Sequence, residues 1–341
     1  MKFNTFGKLS LASVLVSAAL AANAGISVEN EQGLFTIGGD VEYDLNFVDK
    51  DRNNQSTQDF SQSGRILVQI AAEREVANDH YLKVQVQPLL KSSGDVDLDD
   101  AFFAIGRQAD WELKIGRFEG FDMFPVGQDT MLDFARTNVA GDVIEPYRMK
   151  DARGRGDYGQ VSYAKSIDSL YFELGTLFKQ QEDKVNKADE ADKNAIFVRP
   201  VIAFQATDSL RFAAGLEANL TSDKKDENNN FIGYGATVNY SVQDFSLDLS
   251  YAYRDFDVTG TKEDTSIGAV IQYKRFGLGH IYSQADTGSK EKMNTTWASY
   301  EIANVMDVQD FSIYLGSYFS KVDNANDDQD VGVRVRFKYF F

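Results

Sequence analysis

The stretch Val331-Gly-Val-Arg-Val-Arg-Phe-Lys-Tyr-Phe-Phe341 alternates without a break. Its odd positions, Val331, Val333, Val335, Phe337, Tyr339 and Phe341, are apolar, and the even ones up to Lys338 are Gly332, Arg334, Arg336 and Lys338. A β-strand sends successive side chains to opposite faces. One face here is aliphatic and ends in aromatics, and the other carries three cations. A wall between hydrocarbon and water needs that division, whereas the competing reading, a terminal strand of a soluble sandwich, would not usually set a fully apolar face against so charged a back.

The same alternation runs back to the start of the chain. Phe35, Ile37, Gly39, Val41, Tyr43, Leu45 and Phe47 point one way, and Asp40, Glu42, Asp44 and Asn46 point the other. Ile66, Val68 and Ile70 alternate with Arg65, Gln69 and, further along that face, Glu73. Strand cores fall near 34–47, 64–74, 80–90, 97–106, 111–118, 157–165, 169–179, 195–206, 209–220, 231–241, 245–255, 265–275, 276–286, 295–304, 311–321 and 331–341. Strands of about ten residues cross a bilayer when tilted. The pattern predicts an all-β, transmembrane antiparallel β-barrel of about sixteen strands; fourteen or eighteen remain open, because pairs such as Thr265–Asp286 lack a clear turn. Long polar connections, such as Asp49–Gln62, Gln180–Asn194 and Thr221–Asn230, alternate with short ones, such as Ala77-Asn-Asp79 and Val242-Gln-Asp244. Long loops outside and short turns facing the periplasm give that asymmetry. Aromatics near strand ends, among them Phe47, Tyr240, Phe276 and Tyr339, suit the two membrane interfaces.

Composition agrees. Four prolines stand against 25 phenylalanines and 16 tyrosines in 341 residues, which favours unbroken ladders. Mean hydropathy is −0.36, as expected where only alternate residues meet lipid. Lys2 and Lys8, the apolar run Leu9–Leu20 and Ala22-Asn23-Ala24 before Gly25 read as a secretory leader. Residues 1–24 are therefore assigned to a signal peptide and 25–341 to the barrel domain. The chain has no cysteine, although it is expected to leave the cytoplasm; a large closed barrel does not need disulfides. The net charge of −17, which becomes −19 without Lys2 and Lys8, makes nucleic acid an unfavourable partner.

Chemistry is sparse. His80 and His280 are the only histidines, and no Cys or His cluster has metal-ligand spacing. His280 and Ser283, three apart on a strand, fall on opposite faces, so they make no local dyad. Asp95-Val-Asp-Leu-Asp-Asp100 lacks the spacing and closing glutamate of a calcium loop. It reads better as an exposed latch or subunit contact. No enzyme activity, metal or cofactor is expected.

One connection breaks the rhythm. Glu119–Gly156 has no alternating run, and a stretch this long without regular structure has a task of its own. It mixes acids (Glu119, Asp122, Asp129, Asp133), bases (Arg148, Arg153, Arg155) and aromatics (Phe121, Phe124, Phe134, Tyr147). Charges on such a loop facing charges on a wall create a transverse field and set ion preference. The candidate wall is basic where the ends of the chain meet, at Arg65, Arg334, Arg336 and Lys338. The aromatics offer faces to sugar rings.

The run Trp111-Glu-Leu-Lys-Ile-Gly-Arg-Phe-Glu-Gly-Phe-Asp-Met-Phe-Pro-Val-Gly-Gln-Asp-Thr130, with Tyr147-Arg148 and Arg153-Gly-Arg155, resembles carbohydrate-selective porins of the raffinose glycoporin type. The ending on Phe341 resembles the assembly signal of outer-membrane barrels. The resemblance implies a homotrimeric, sixteen-stranded channel in the outer membrane of a Gram-negative bacterium. Its third external loop would fold inward to narrow the pore, and oligosaccharides, small hydrophilic solutes and ions would pass. It departs from sugar channels such as maltoporin, whose aromatic track is rich in tryptophan; only Trp111 and Trp297 occur here. Inward Tyr314 and Tyr318 would supply part of such a track or pack in the wall. A general diffusion porin without a sugar site, and an adhesin or receptor barrel, are the alternative functions.

Overall fold

The computed structural model describes residues 25–124, 131, 134–135, 149, 153–155, 159–179, 195–221, 231–256, 263–286, 290–323 and 328–341. The leader assigned to residues 1–24 lies outside them. The strands are β1 (Ile26–Asn30), β2 (Gly33–Arg52), β3 (Gln55–Val76), β4 (His80–Lys91), β5 (Val96–Arg107), β6 (Trp111–Arg117), β7 (Gly159–Ile167), β8 (Leu170–Lys179), β9 (Ala195–Thr207), β10 (Leu210–Asn219), β11 (Phe231–Val242), β12 (Phe245–Phe256), β13 (Glu263–Tyr273), β14 (Phe276–Asp286), β15 (Lys290–Ile302), β16 (Phe311–Asp323) and β17 (Gln329–Phe340).

Each strand from β2 to β17 pairs antiparallel with the next, and β17 pairs back onto β2. The result is the closed sixteen-stranded barrel that the alternation predicts. Closure matters because a spanning sheet cannot leave an edge of bare N–H and C=O groups in hydrocarbon. The seam runs from Gln329↔Asp51 to Phe340↔Asp40. At its end the Gly39 N–H donates to the Phe341 carbonyl at 2.8 Å, and the Phe341 N–H donates to that of Gly39 at 3.0 Å. Strand β1 then takes up the same edge of β2, from Ile26↔Ile37 to Asn30↔Gly33. This strand alternates only as Ile26 and Val28 against Ser27 and Glu29, five residues that are too few to stand out as a spanning strand in the sequence.

Sidedness follows the alternation. Val331, Val333, Phe319, Leu315, Phe47 and Ile267 are exposed on the outside, while Asp40, Glu42, Asp44, Arg334 and Arg336 are buried inside. That is inverted relative to a soluble protein, as a lipid-facing wall around a polar lumen requires. Trp111 sits on the outer face at the turn end, stacked with Tyr163 at 6.3 Å between centroids. His280 is exposed outside and Ser283 buried inside, on opposite faces as their spacing predicts.

One expectation about a connection is corrected. The segment Asp49–Gln62, expected as a loop, is the outer part of the β2–β3 hairpin, paired as far as Arg52↔Gln55. Asn53 and Asn54 both have positive φ, 54° and 59°, as a two-residue type I′ turn demands. Standing beyond the bilayer, this part has both faces in water and no apolar stripe to mark it in the sequence. The pair β13–β14 turns through Lys274, at φ 53°, between the partners Tyr273 and Phe276. No Gly, Asn or Pro marks that turn, so the sequence gives no cue for it.

Val333→Arg would place a charge in the acyl-facing band. It should lower folding stability by ~2–4 kcal/mol, read by urea titration of protein folded into vesicles.

Candidate functional site

The lumen has two unlike halves. Along the seam, the register that closes the ring sets cations against acceptors. Arg336 lies opposite Asp44, Lys338 opposite Glu42 and Arg334 opposite Asn46. Arg336 donates Nε–H to Asp44 Oδ1 at 2.7 Å and Nη2–H to Oδ2 at 2.9 Å. Arg334 donates Nε–H to Asn46 Oδ1 at 2.7 Å, and Lys338 donates to Glu42. From β3, Arg65 reaches Glu42 at 3.1 Å and Asp40 at 3.5 Å. Arg65, Arg334, Arg336 and Lys338 all face inward, as their alternation predicts. The wall is nevertheless a ladder of opposite charges rather than the basic surface expected, because β2 brings an acid or amide to each cation.

The described residues of the insertion begin with a second ion-pair cluster. Glu119 pairs with Gly154 as an isolated antiparallel bridge. Gly154 stands at φ 109°, where a side chain would be strained, and a Cβ there would collide with the Gln160 amide. Arg153 is buried and meets Glu119 at 2.7 Å and Asp122 at 3.0 Å. Burial opposes its charge, but Asp122 and Glu119 more than offset that, so its pKa stands above the ordinary arginine value. Arg155 bonds Asp100 at 2.8 Å and lies 3.1 Å from Asp99 and 3.8 Å from Glu119. Burial again opposes the charge, and Glu119, Asp100 and Asp99 outweigh it, raising the pKa. Both guanidinium groups therefore stay charged at any physiological pH.

Strand residues that sequence reasoning passed over hold the next turn of chain. Phe121 N–H donates to Glu173 Oε1 at 2.8 Å, Tyr171 O–H donates to Oε2 of the same carboxylate at 2.8 Å, and Arg199 Nη1–H donates to the Phe121 carbonyl at 2.9 Å. The available signal was a lone acid and a lone arginine at inward positions of the apolar strands β8 and β9.

Beyond this point the site is apolar. Phe121, Met123, Phe124, Met131, Ala135 and Met149 form one buried cluster with inward residues of β7 to β10 and β12 to β16, including Ala164, Tyr171, Val201, Val270, Ile281 and Trp297. Phe121 is 8% and Phe124 2% exposed, which leaves those rings little free face for a solute. Phe134 is only half-buried; it packs edge-on against Tyr318 at 5.1 Å, with the Arg334 guanidinium 4.4 Å from its centroid. Asp129, Asp133, Tyr147 and Arg148 lie outside the described residues. Toward the turn end, a cavity of about 660 Å³ is lined by Thr36, Gln69, Lys83, Phe102, Lys114 and Tyr171, among others. There Lys114 Nζ sits 4.9 Å from the Phe102 centroid and 5.2 Å from that of Phe118.

A closed barrel with a charged lumen and an insertion after its fifth spanning strand can be compared with known proteins. The family model described as porin-like glycoporin RafY matches residues 37–341. The chain belongs to that porin family. Its fold is similar to Salmonella typhi OmpF, solved in complex with daunomycin: TM-score 0.64, 12% identity, 92% of this chain and 100% of that one covered. It is also similar to a loop L8 deletion mutant of OmpT from Vibrio cholerae (0.58, 16% identity, 91% and 100%) and to a mutant of the Rh. blastica porin (0.60, 12% identity, 89% and 100%). At these identities the likeness concerns the fold. No curated protein matches the chain in sequence. The porin is thus an outer-membrane channel for solutes, in a family of channels rather than enzymes.

Removing one member of the seam ladder should expose its partner. Arg336→Ala leaves Asp44 without its bidentate cation and should shift the reversal potential in a salt gradient toward cation preference. The double change Arg336→Ala with Asp44→Ala should bring it back toward wild type.

Proposed function

We propose that this porin passes oligosaccharides, together with small hydrophilic solutes and ions, down their gradients through a lumen narrowed by the 119–155 insertion. The carrying observation is the buried cluster in which described residues of the insertion pack against inward residues of the wall. Chain that covers the apolar part of the wall is chain removed from the water path. Solutes would then run beside the ladder of Asp40, Glu42, Asp44, Arg65, Arg334 and Arg336, whose alternating donors and acceptors suit hydroxyl-rich molecules without strong preference for either sign of ion.

Among the described members of the expected aromatic set, Phe134 is half-buried where Phe121 and Phe124 are buried, and Arg334 beside it would bond hydroxyls of a stacked sugar. Tyr147, the acids Glu119, Asp122, Asp129 and Asp133, and the bases Arg148, Arg153 and Arg155 complete the proposed constriction. The signal peptide over 1–24, residence in the Gram-negative outer membrane and assembly as a homotrimer belong to the same proposal, the last resting on family resemblance. A general diffusion channel is the second reading, favoured by the burial of Phe121 and Phe124.

Planar-bilayer recording with raffinose as the added oligosaccharide separates the readings. Concentration-dependent block supports the sugar path, steady conductance without block supports general diffusion, and no conductance leaves the adhesin or receptor reading. If the sugar path holds, Phe134→Ala should weaken block by ~2–10-fold, the worth of one aromatic contact, with the barrel still folded.

A further inference from the structure

The insertion carries three methionines among its described residues, Met123, Met131 and Met149, and each is fully buried. Each lies over an inward glycine of the wall. Met123 Sδ and Cε stand 3.2 Å from where a Cβ of Gly215 would be. A Cβ on Gly235 would collide with Met149 Sδ, and one on Gly316 with Met131 Sδ. A strand glycine leaves a pit one side chain deep on an otherwise raised surface. A thioether is unbranched and polarizable, so it fills such a pit without a fixed shape of its own.

The positions of the pits are more telling than their number. Gly215 on β10 and Gly235 on β11 are direct cross-strand partners. Their neighbours across the sheet at that level are Val201, Ala252 and, one strand further, Ser266. Met123, near the start of the insertion, and Met149, near its end, therefore seat side by side in one recess. The near side of that recess, on β10, is four strands from β6, which the chain leaves, and three from β7, which it enters. Met131, between them in sequence, seats on β16, five strands beyond β11. Phe134 reinforces that far contact on Tyr318, which itself lies over Gly332. The charged contacts of Arg153, Arg155 and Glu173 all lie close to the point of departure. They fix the root of the insertion and have no hold on its reach.

We infer that Met123, Met131 and Met149, seated in the glycine pits at Gly215, Gly316 and Gly235, are the positioning residues that hold the insertion across the lumen and so set the width of the pore. This rests on the reading that the insertion narrows a conducting channel, and it adds which contacts decide the narrowing. The sulfur seats act as a near pair and a far point. Losing the far seat frees the middle of the insertion, whereas losing the near pair frees both legs.

The test compares single-channel conductance in planar bilayers for wild type, Met131→Ala, Met131→Leu and Gly316→Val, with folding checked by heat-modifiable mobility on gels. Met131→Ala and Gly316→Val should each raise conductance by about 1.5-fold or more and add open-channel noise, because the pore's width governs its conductance. Met131→Leu, which refills the pit with an apolar chain, should stay near wild type. If Gly316→Val does not fold, Met131→Ala decides alone, since it alters the insertion and not the wall. Wild-type conductance and noise retained in folded Met131→Ala would overturn the inference. So would a rise in Met131→Leu equal to that in Met131→Ala. A wild-type protein that folds but does not conduct would instead sink the channel reading on which the inference stands.

Discussion

The ring has to close, and one seam closes it. In hydrocarbon no water is present to satisfy an open edge, so the edge of β17 that β16 does not cover must find β2. The register in which it does so, Arg336 against Asp44 and Lys338 against Glu42, places opposite charges face to face on the lumen side and apolar groups on the lipid side. A slip by one residue would turn both sets to the wrong solvent. A slip by two would keep sidedness but misalign the pairs. Cross-strand ion pairs contribute only ~0.2–1 kcal/mol each. Their value at the seam is register as much as stability, since β2 and β17 lie at opposite ends of the described chain and no turn connects them.

From that closure the division of the lumen follows. The seam and the neighbouring β3 to β6 carry the inward charges Asp40, Glu42, Asp44, Arg65, Lys83 and Lys114, among others, and these must stay wet or paired. Strands β12 to β16 carry inward Ala252, Val270, Ile281, Trp297 and Tyr318, which water would solvate poorly; they are covered. Six described residues of the insertion, Phe121, Met123, Phe124, Met131, Ala135 and Met149, share that buried cluster. The insertion's described polar residues Arg153 and Arg155 instead meet acids of β5 and of the insertion itself. A barrel interior of this kind combines a protein-like core on one side with an aqueous path on the other.

Much of this was legible in the chain. The sixteen spanning strands, their boundaries to within a few residues over most of the ring, and the facing of Arg65, Arg334, Arg336 and Lys338 all follow from a period of two, because the bilayer and the lumen read each strand residue by residue. The outer β2–β3 hairpin was not legible, since a strand wet on both faces has no period to show. The neutralisation of the basic wall was half-legible: Asp40, Glu42 and Asp44 were visible as inward acids of the first strand, but only the seam register sets them opposite the cations of the last. The aromatic candidates Phe121 and Phe124 looked available for solutes because burial inside a lumen has no sequence signature.

The sequence by itself determined the barrel, its sidedness and the place of its one long interruption, because those depend on the alternation of neighbours along a strand and on a break in it. The tertiary structure alone decided which strands the described residues of the interruption pack against. That choice depends on pits and partners contributed by strands far apart in the chain, such as Gly215, Gly235 and Gly316 beneath Met123, Met149 and Met131. A missing side chain on one strand and a flexible one on a distant segment become complementary only when closure of the ring brings them together.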